Sequence, residues 1–300
     1  MDREAKVVVV GGANPGGLNS VEMYNLATRT WTKLQRMKVC REGASSVVYN
    51  NYIFVTGGFV ENSRQTESIE KLSLNAVNFD QSNSWEDVPV KFPGGLFGHC
   101  SIVYNGRLIG IGGCDKVAYS NGIFEISLVR RYTSRPLATM PPSSRCYHGC
   151  AIFGDKIVIV GGRKNVKADS ALSSVAMYDI TENTYQELAP LPYPVSEMAT
   201  VKWDDDNIMI MGGTSNENRK LKKVLMYNIK IQESHELPDM KYKRKGCMAV
   251  VVGDTVIVMG GQDERGNYLK SAESFKFDRY SWEELAEMHE ARYLATAVAC

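Results

Sequence analysis

Long apolar runs are missing from this 300-residue chain, none approaching the roughly 18 residues that span a membrane. The opening, MDREAKVVVVGG, lacks the layered pattern of a secretory signal. An excess of one charge is missing too. With 35 basic and 34 acidic side chains the net charge is +1, which excludes a nucleic-acid protein built on bulk electrostatics. Helical periodicity is absent, since no stretch repeats apolar residues every 3.6 positions between capping residues. Histidine is scarce, at four, and none stands in an acid–base or nucleophile arrangement with Ser or Cys. Asn-x-Ser/Thr acceptors do not occur. The seven cysteines are an odd number without framework spacing, which is the usage of reduced thiols in the cytosol or nucleus. The expectations are a cytoplasmic protein, with a nuclear or cytoskeleton-associated one as the alternative, that is non-enzymatic and has no cofactor, no metal, no nucleic acid and no membrane.

What is present is a repeat. A Gly-Gly pair closes an apolar run at Gly11-Gly12, Gly57-Gly58, Gly112-Gly113, Gly161-Gly162, Gly212-Gly213 and Gly260-Gly261, at intervals of 46 to 55 residues. A period near fifty with one punctuation mark per copy means one structural unit repeated. In the copy closed by Gly161-Gly162, strands are predicted over 146–153 and 156–160, around the turn pair Gly154-Asp155, then over 174–180 and 184–188. Turn signals recur at Asn50-Asn51, Asn105-Gly106, Asp206-Asn207 and Gly253-Asp254. Aromatic pairs seven apart, Tyr24/Trp31, Tyr178/Tyr185 and Phe275/Trp282, suit wide outer strands. Small residues at 43–46, 149–151 and 295–299 suit a crowded centre.

Six units of four strands make an all-β, six-bladed β-propeller, a single domain over residues 1–300. Tyr293–Cys300 is a first strand with no second strand after it, and Lys6–Val10 a second strand with no first. The ring is therefore expected to close by pairing the two chain ends in one blade, which removes the open sheet edge.

Arginine stands 16 residues before the glycine pair at Arg41, Arg145 and Arg244, and Arg292 opens the last first strand. Gly-Gly after an apolar strand, aromatics seven apart and then Arg, as in VEMYNLATRTWTKLQRMKVCREGASSVVYNNYIFVTGG, resembles the kelch repeat over the whole chain. It is most similar to the propeller of the BTB-BACK-kelch adaptor proteins. That resemblance implies a protein-interaction module that recruits substrates to a cullin ubiquitin ligase, the cullin being held by domains absent here. The alternatives are an actin-associated kelch scaffold and a kelch-fold enzyme. It also implies a binding face made of the second-to-third-strand loops (13–20, 59–68, 114–122, 163–173, 214–222, 262–271) and the interblade loops (37–42, 91–98, 141–147, 192–197, 240–245, 289–293). Arg41, Arg145, Arg244 and Arg292 match the family's pocket-lining arginines, with Leu96 and Ser196 at the corresponding places of the other two blades.

Basic runs at 219–223 and 241–245 fall on the same face, together with Arg163, Lys164 and Lys167. Aromatics stand among them at Phe59, Phe97, Tyr119, Tyr147, Tyr193, Tyr242, Tyr268 and Tyr293. Tyr with Arg is the composition of interface hot spots. The expected ligand is an acidic peptide or loop held by Arg41, Arg145, Tyr147, Ser196, Arg219, Tyr242, Arg244, Arg292 and Tyr293. Val7–Gly17 superficially matches a dinucleotide fingerprint, but Pro15 and Gly16-Gly17 oppose the helix it requires. Cys146, His148 and Cys150 share one strand face, at a spacing that matches no zinc module. Arg145 beside Cys146, and Arg41 beside Cys40, would lower either thiol pKa and make it redox-reactive.

Overall fold

The computed structural model describes residues 5–60, 64–74, 84–115, 118–129, 131–140, 144–165 and 167–300. Among them are six four-stranded antiparallel sheets, and the one helical element is a single 3₁₀ turn at Ala168–Ser170. Blade four runs Gly149–Phe153, Lys156–Val160, Val175–Asp179 and Thr184–Leu188 in consecutive order. The sequence places these strands to within three residues at each end. The hairpin signals act as backbone chemistry requires: Asn50, Asn51, Asn105 and Gly106 all take positive φ, the conformation of tight two-residue turns whose twist matches the strands.

The seven-residue aromatic spacing puts the two rings opposite each other across the outer hairpin. Tyr24 pairs with Trp31, Tyr178 with Tyr185 and Phe275 with Trp282. The ring centroids of the first and last pairs lie 5.0 and 5.3 Å apart, filling the wide space between blades. At the centre the need is opposite. A Cβ added to Gly149 would stand 2.1 Å from the Thr200 side chain of the next blade. Second strands are buried beyond their first residue: Val7, Val8 and Val9 are wholly covered, as are Ile157 to Val160, while Arg107 and Lys156 at strand starts are exposed. Blade one joins the chain ends, Val7 to Val10 pairing with Ala299 to Thr296, so no edge is left at the seam.

Each Gly-Gly pair turns the second strand toward one rim. The first glycine takes φ of 56 to 65° and the second 89 to 100°. A Cβ on the first glycine of each pair would lie 2.4–2.6 Å from a carbonyl oxygen of the next interblade loop, so this approach requires glycine. That packing draws the second-to-third-strand loops and the interblade loops together on one rim. Within these loops the segments 61–63, 116–117, 141–143 and residue 166 lie outside the described residues, as do 75–83 ahead of Trp85.

Candidate functional site: the mouth of the propeller

The four arginines expected to grip a ligand are structural. Arg41, Arg145, Arg244 and Arg292 are at most 1% exposed. Arg41 bonds the Gly57 carbonyl at 2.7 Å and the Ser68 carbonyl at 3.0 Å, and pairs with Glu70 at 3.0 Å. Arg244 repeats this with Gly260, Ser271 and Glu273, and Arg292 with Gly11, Ser20 and Glu22. Each arginine's own carbonyl accepts from the second glycine of a neighbouring blade, as Arg41 does from Gly12. The residue thus fastens two blades together.

The carboxylates divide the molecule in two. In blades six, one and two, Glu273, Glu22 and Glu70 also accept the backbone N–H of Lys241, His289 and Lys38, three positions before the arginine. In blades three, four and five the corresponding third-strand residues are Phe124, Ala176 and Leu225. The residues three before Leu96, Arg145 and Val195 are Pro93, Pro142 and Pro192, which have no N–H to donate. Carboxylate and amide are lost together. Arg145 is the exception, a buried guanidinium in a blade without the acid. Its single hydrogen bond among the described residues is to the Gly161 carbonyl at 3.3 Å, and its Nε has none.

Ser196 is not the arginine equivalent. The Val195 carbonyl receives Gly162 N–H as Arg41's receives Gly12. The count slips because the blade-five hairpin, bonded from Trp203 to Asn207, holds one residue more than the two-residue turns elsewhere. Ser196 is buried, and its hydroxyl accepts from Arg163 at 3.0 Å. Arg219 is exposed and paired with Glu217. Tyr242 is exposed, donates to Glu284 at 2.7 Å and covers the Arg244 guanidinium, whose carbon lies 5.4 Å from the ring centre. The basic runs are largely compensated within the chain: Lys241 by Glu284, Lys243 by Glu264, Lys222 by Asp239 and Lys223 by Glu236.

The residues that surround the axis lie one and two positions beyond the arginines. Gly43, Gly98, Tyr147, Glu197, Gly246 and Leu294 form a closed circle of six backbone hydrogen bonds. Gly98 N–H donates to Gly43, Tyr147 to Gly98, Glu197 to Tyr147, Gly246 to Glu197, Leu294 to Gly246 and Gly43 to Leu294, at 2.7–3.0 Å. All six take φ of 49 to 65°. Three are not glycine, and such backbone costs about 1 kcal/mol or more at each. A cavity of about 100 Å³ lies against this circle, lined from all six blades.

Around it stand the six preceding residues, Glu42, Phe97, Cys146, Ser196, Lys245 and Tyr293, each bridged to the residue after a glycine pair. Glu197 ties one side together. It pairs with Arg163 at 2.6 Å and Lys245 at 3.2 Å, and accepts from Tyr293 at 2.6 Å. The phenols of Tyr147 and Tyr293 are pushed up, first by burial. Arg163 lies over the Tyr147 ring and Lys245 over the Tyr293 ring, at 5.7 and 5.1 Å. Phe59 and Phe97 approach to 3.8 Å, Phe97 meets Tyr147 edge-on at 5.9 Å, and Tyr268 meets Tyr293 at 6.0 Å. With Tyr119 these make a collar of partly exposed rings. Of the nine residues expected to hold the ligand, the mouth therefore gathers Tyr147, Ser196 and Tyr293, and it also gathers Phe59, Phe97, Tyr119, Tyr268, Arg163 and Lys245, which the sequence set on the same face. Glu42 and Glu197 were missed, although each stands 15 residues before its glycine pair.

The thiols lie in the seam between blades three and four. Cys114 and Cys146 bring their sulfurs to 2.8 Å, both buried. Burial pushes the Cys146 thiol up, so Arg145, which turns into its blade, does not activate it. His99 bonds Thr56 at 2.9 Å, and burial lowers its pKa to about 3. His148 is buried beside the Cys100 thiol, and among the described residues neither ring nitrogen has a nitrogen or oxygen partner. Among the described residues no three His, Cys, Asp or Glu side chains are placed to hold a metal ion.

Residues 2–202 match the KLHDC2/KLHL20/DRC7 Kelch-repeats domain, and residues 243–289 the Kelch motif. Kelch-like protein 23 of Homo sapiens is 23% identical over 283 residues, 93% of this chain and 48% of that protein. Kelch-like protein 35 of Mus musculus is 26% identical over 93% of the chain and 45% of its own length. Kelch-like protein 41a of Danio rerio is 30% identical over 50% of the chain and 25% of its own length. The chain spans about half, or less, of the length of these curated relatives. The solved structure titled "Structure of YjhT" superposes with a TM-score of 0.78 at 14% identity, covering 95% of both chains, a likeness of fold.

Proposed function

Because the chain belongs to the kelch-repeat family, we propose that it captures another protein at the mouth of its propeller and acts as the substrate-recruiting part of a cullin ubiquitin-ligase adaptor. The observation that carries the capture reading is the collar: six partly exposed aromatic rings around one axial opening, held by a closed backbone circle. Aromatic side chains fixed by packing bury area at little entropic cost, and Tyr is enriched among the few residues that dominate the energy of protein interfaces. The ligase reading rests on the likeness to kelch-like proteins 23 and 35.

The opposite rim provides the control. Tyr280 is 54% exposed in a third-to-fourth-strand turn, away from the collar. With benzoylphenylalanine at position 119, irradiation in cell lysate should yield discrete protein adducts, and at position 280 it should not. Equal adducts from both positions, or none from 119, end the capture reading. The ligase reading is checked separately, by whether the protein immunoprecipitated from cells carries a cullin and ubiquitinates the cross-linked partner.

A further inference from the structure

The collar's own cations are engaged. Arg163 and Lys245 are 18% and 17% exposed, and both are drawn to Glu197, whose side chain is 4% exposed. An acidic ligand would have to displace a buried carboxylate held at 2.6 Å. Glu42 is in the opposite situation. Among the described residues its carboxylate receives no hydrogen bond and has no cation within ion-pair distance, yet it is only partly buried. Its pKa is raised, first by burial and then by Glu197, while Lys245, which is paired with Glu197, acts in the opposite direction from beyond ion-pair distance.

Its surroundings suit a visiting cation. The Glu42 backbone is bonded both ways to Phe59, at 2.8 and 3.0 Å, and the Phe59 ring lies against Phe97. The residue preceding the circle on the other side is Tyr293. Gly43 and Gly98 form that side of the circle and add no side chain of their own, although the Phe97 ring packs against Gly43 and Cys146 and Tyr147 against Gly98. Elsewhere the same mouth already sets cations over aromatic faces, at Tyr147 and Tyr293.

We infer that the mouth accepts a lysine or arginine side chain from an extended segment of the captured protein, with Glu42 as its counter-ion and the rings of Phe97 and Tyr293 as its walls. This rests on the capture reading and reverses the acidic ligand expected from sequence. Truncating one partner of a desolvated charge pair weakens binding by about tenfold or more.

The test uses an array of octapeptides in which one position at a time is fixed as Arg, Lys, Asp, Glu, Leu or Ser. The chain should favour peptides with Arg or Lys at a defined position. Glu42→Gln should lower that binding about tenfold, and Glu42→Lys should move the preference to Asp and Glu. Thermal melts of both variants within a few degrees of the parent show that folding is not the cause. A preference for Asp or Glu in the parent, or an Arg/Lys preference indifferent to Glu42→Gln and Glu42→Lys, overturns the inference. Cross-linking from position 119 separates the two levels. Adducts whose yield is unchanged by Glu42→Gln refute the counter-ion and leave capture standing, whereas their absence from the parent removes both.

Discussion

Arg145 and Arg244 occupy the same place in their blades and differ in what the third strand offers them. Arg244 meets Glu273 at 2.9 Å, two carbonyls and a serine hydroxyl, whereas Arg145 meets Ala176 where the acid would be and makes one long bond. A buried cation with its carboxylate is costly to break, because removing one partner strands the other charge, at about 3–5 kcal/mol. A buried cation without one carries the desolvation cost already. Arg244→Leu is therefore expected to destabilise the protein by about 3 kcal/mol or more, and Arg145→Leu to stabilise it by about 1 kcal/mol. Leu96 fills the equivalent place in blade three with an apolar side chain, so leucine fits the geometry. Urea midpoints of the two variants against the parent decide it, and equal losses would mean that Arg145 is charge-paired as Arg244 is.

At the scale of the element, the repeat is legible because its turns leave chemical marks. Paired asparagines and glycines announce the hairpins, the Gly-Gly pair announces the end of the second strand, and the seven-residue aromatic spacing announces the outer hairpin. The site is legible only to within one residue. Successive side chains alternate between the blade interior and the axis, so Arg41 enters the blade while Glu42 faces the mouth, and a count fixed on the arginine selects the wrong face. The extra residue of the blade-five hairpin shifts the count again, from Val195 to Ser196. Nothing in one sequence tells that Gly98 and Gly154 play different parts, since both take φ near 60°. Packing separates them. A Cβ on Gly154 meets nothing within 4 Å, whereas one on Gly98 meets the Cys146 sulfur at 2.8 Å and the Tyr147 ring at 3.0 Å. Gly154→Asn should leave the melting temperature nearly unchanged, since asparagine tolerates that backbone in turns. Gly98→Asn should cost about 2 kcal/mol or more, from strain and overpacking together.

For the whole molecule, the circle of six hydrogen bonds and the shared blade are two closures of one ring. The circle joins each blade to the next through Gly43, Gly98, Tyr147, Glu197, Gly246 and Leu294, and two of its links, Leu294 to Gly246 and Gly43 to Leu294, depend on the C-terminal segment. The same segment supplies the first strand of blade one, where Val298 packs with Val8 and Val10. Removing residues 294–300 would break both closures at once. It would expose the Lys6–Val10 edge and open two links of the circle, to Gly246 and to Gly43. Removing the outer strand Thr30–Leu34 in the same blade, by contrast, would leave the circle intact. The shortened chain is expected to elute as aggregate on size exclusion, because an unpaired apolar strand edge recruits other chains. Adding a separate peptide of residues 291–300 during refolding should restore some monomer, since the gap accepts the strand without any connection through the chain. A monomeric truncated chain with the parent's melting temperature would show that the other five blades hold the ring unaided, and that the shared blade contributes no closure.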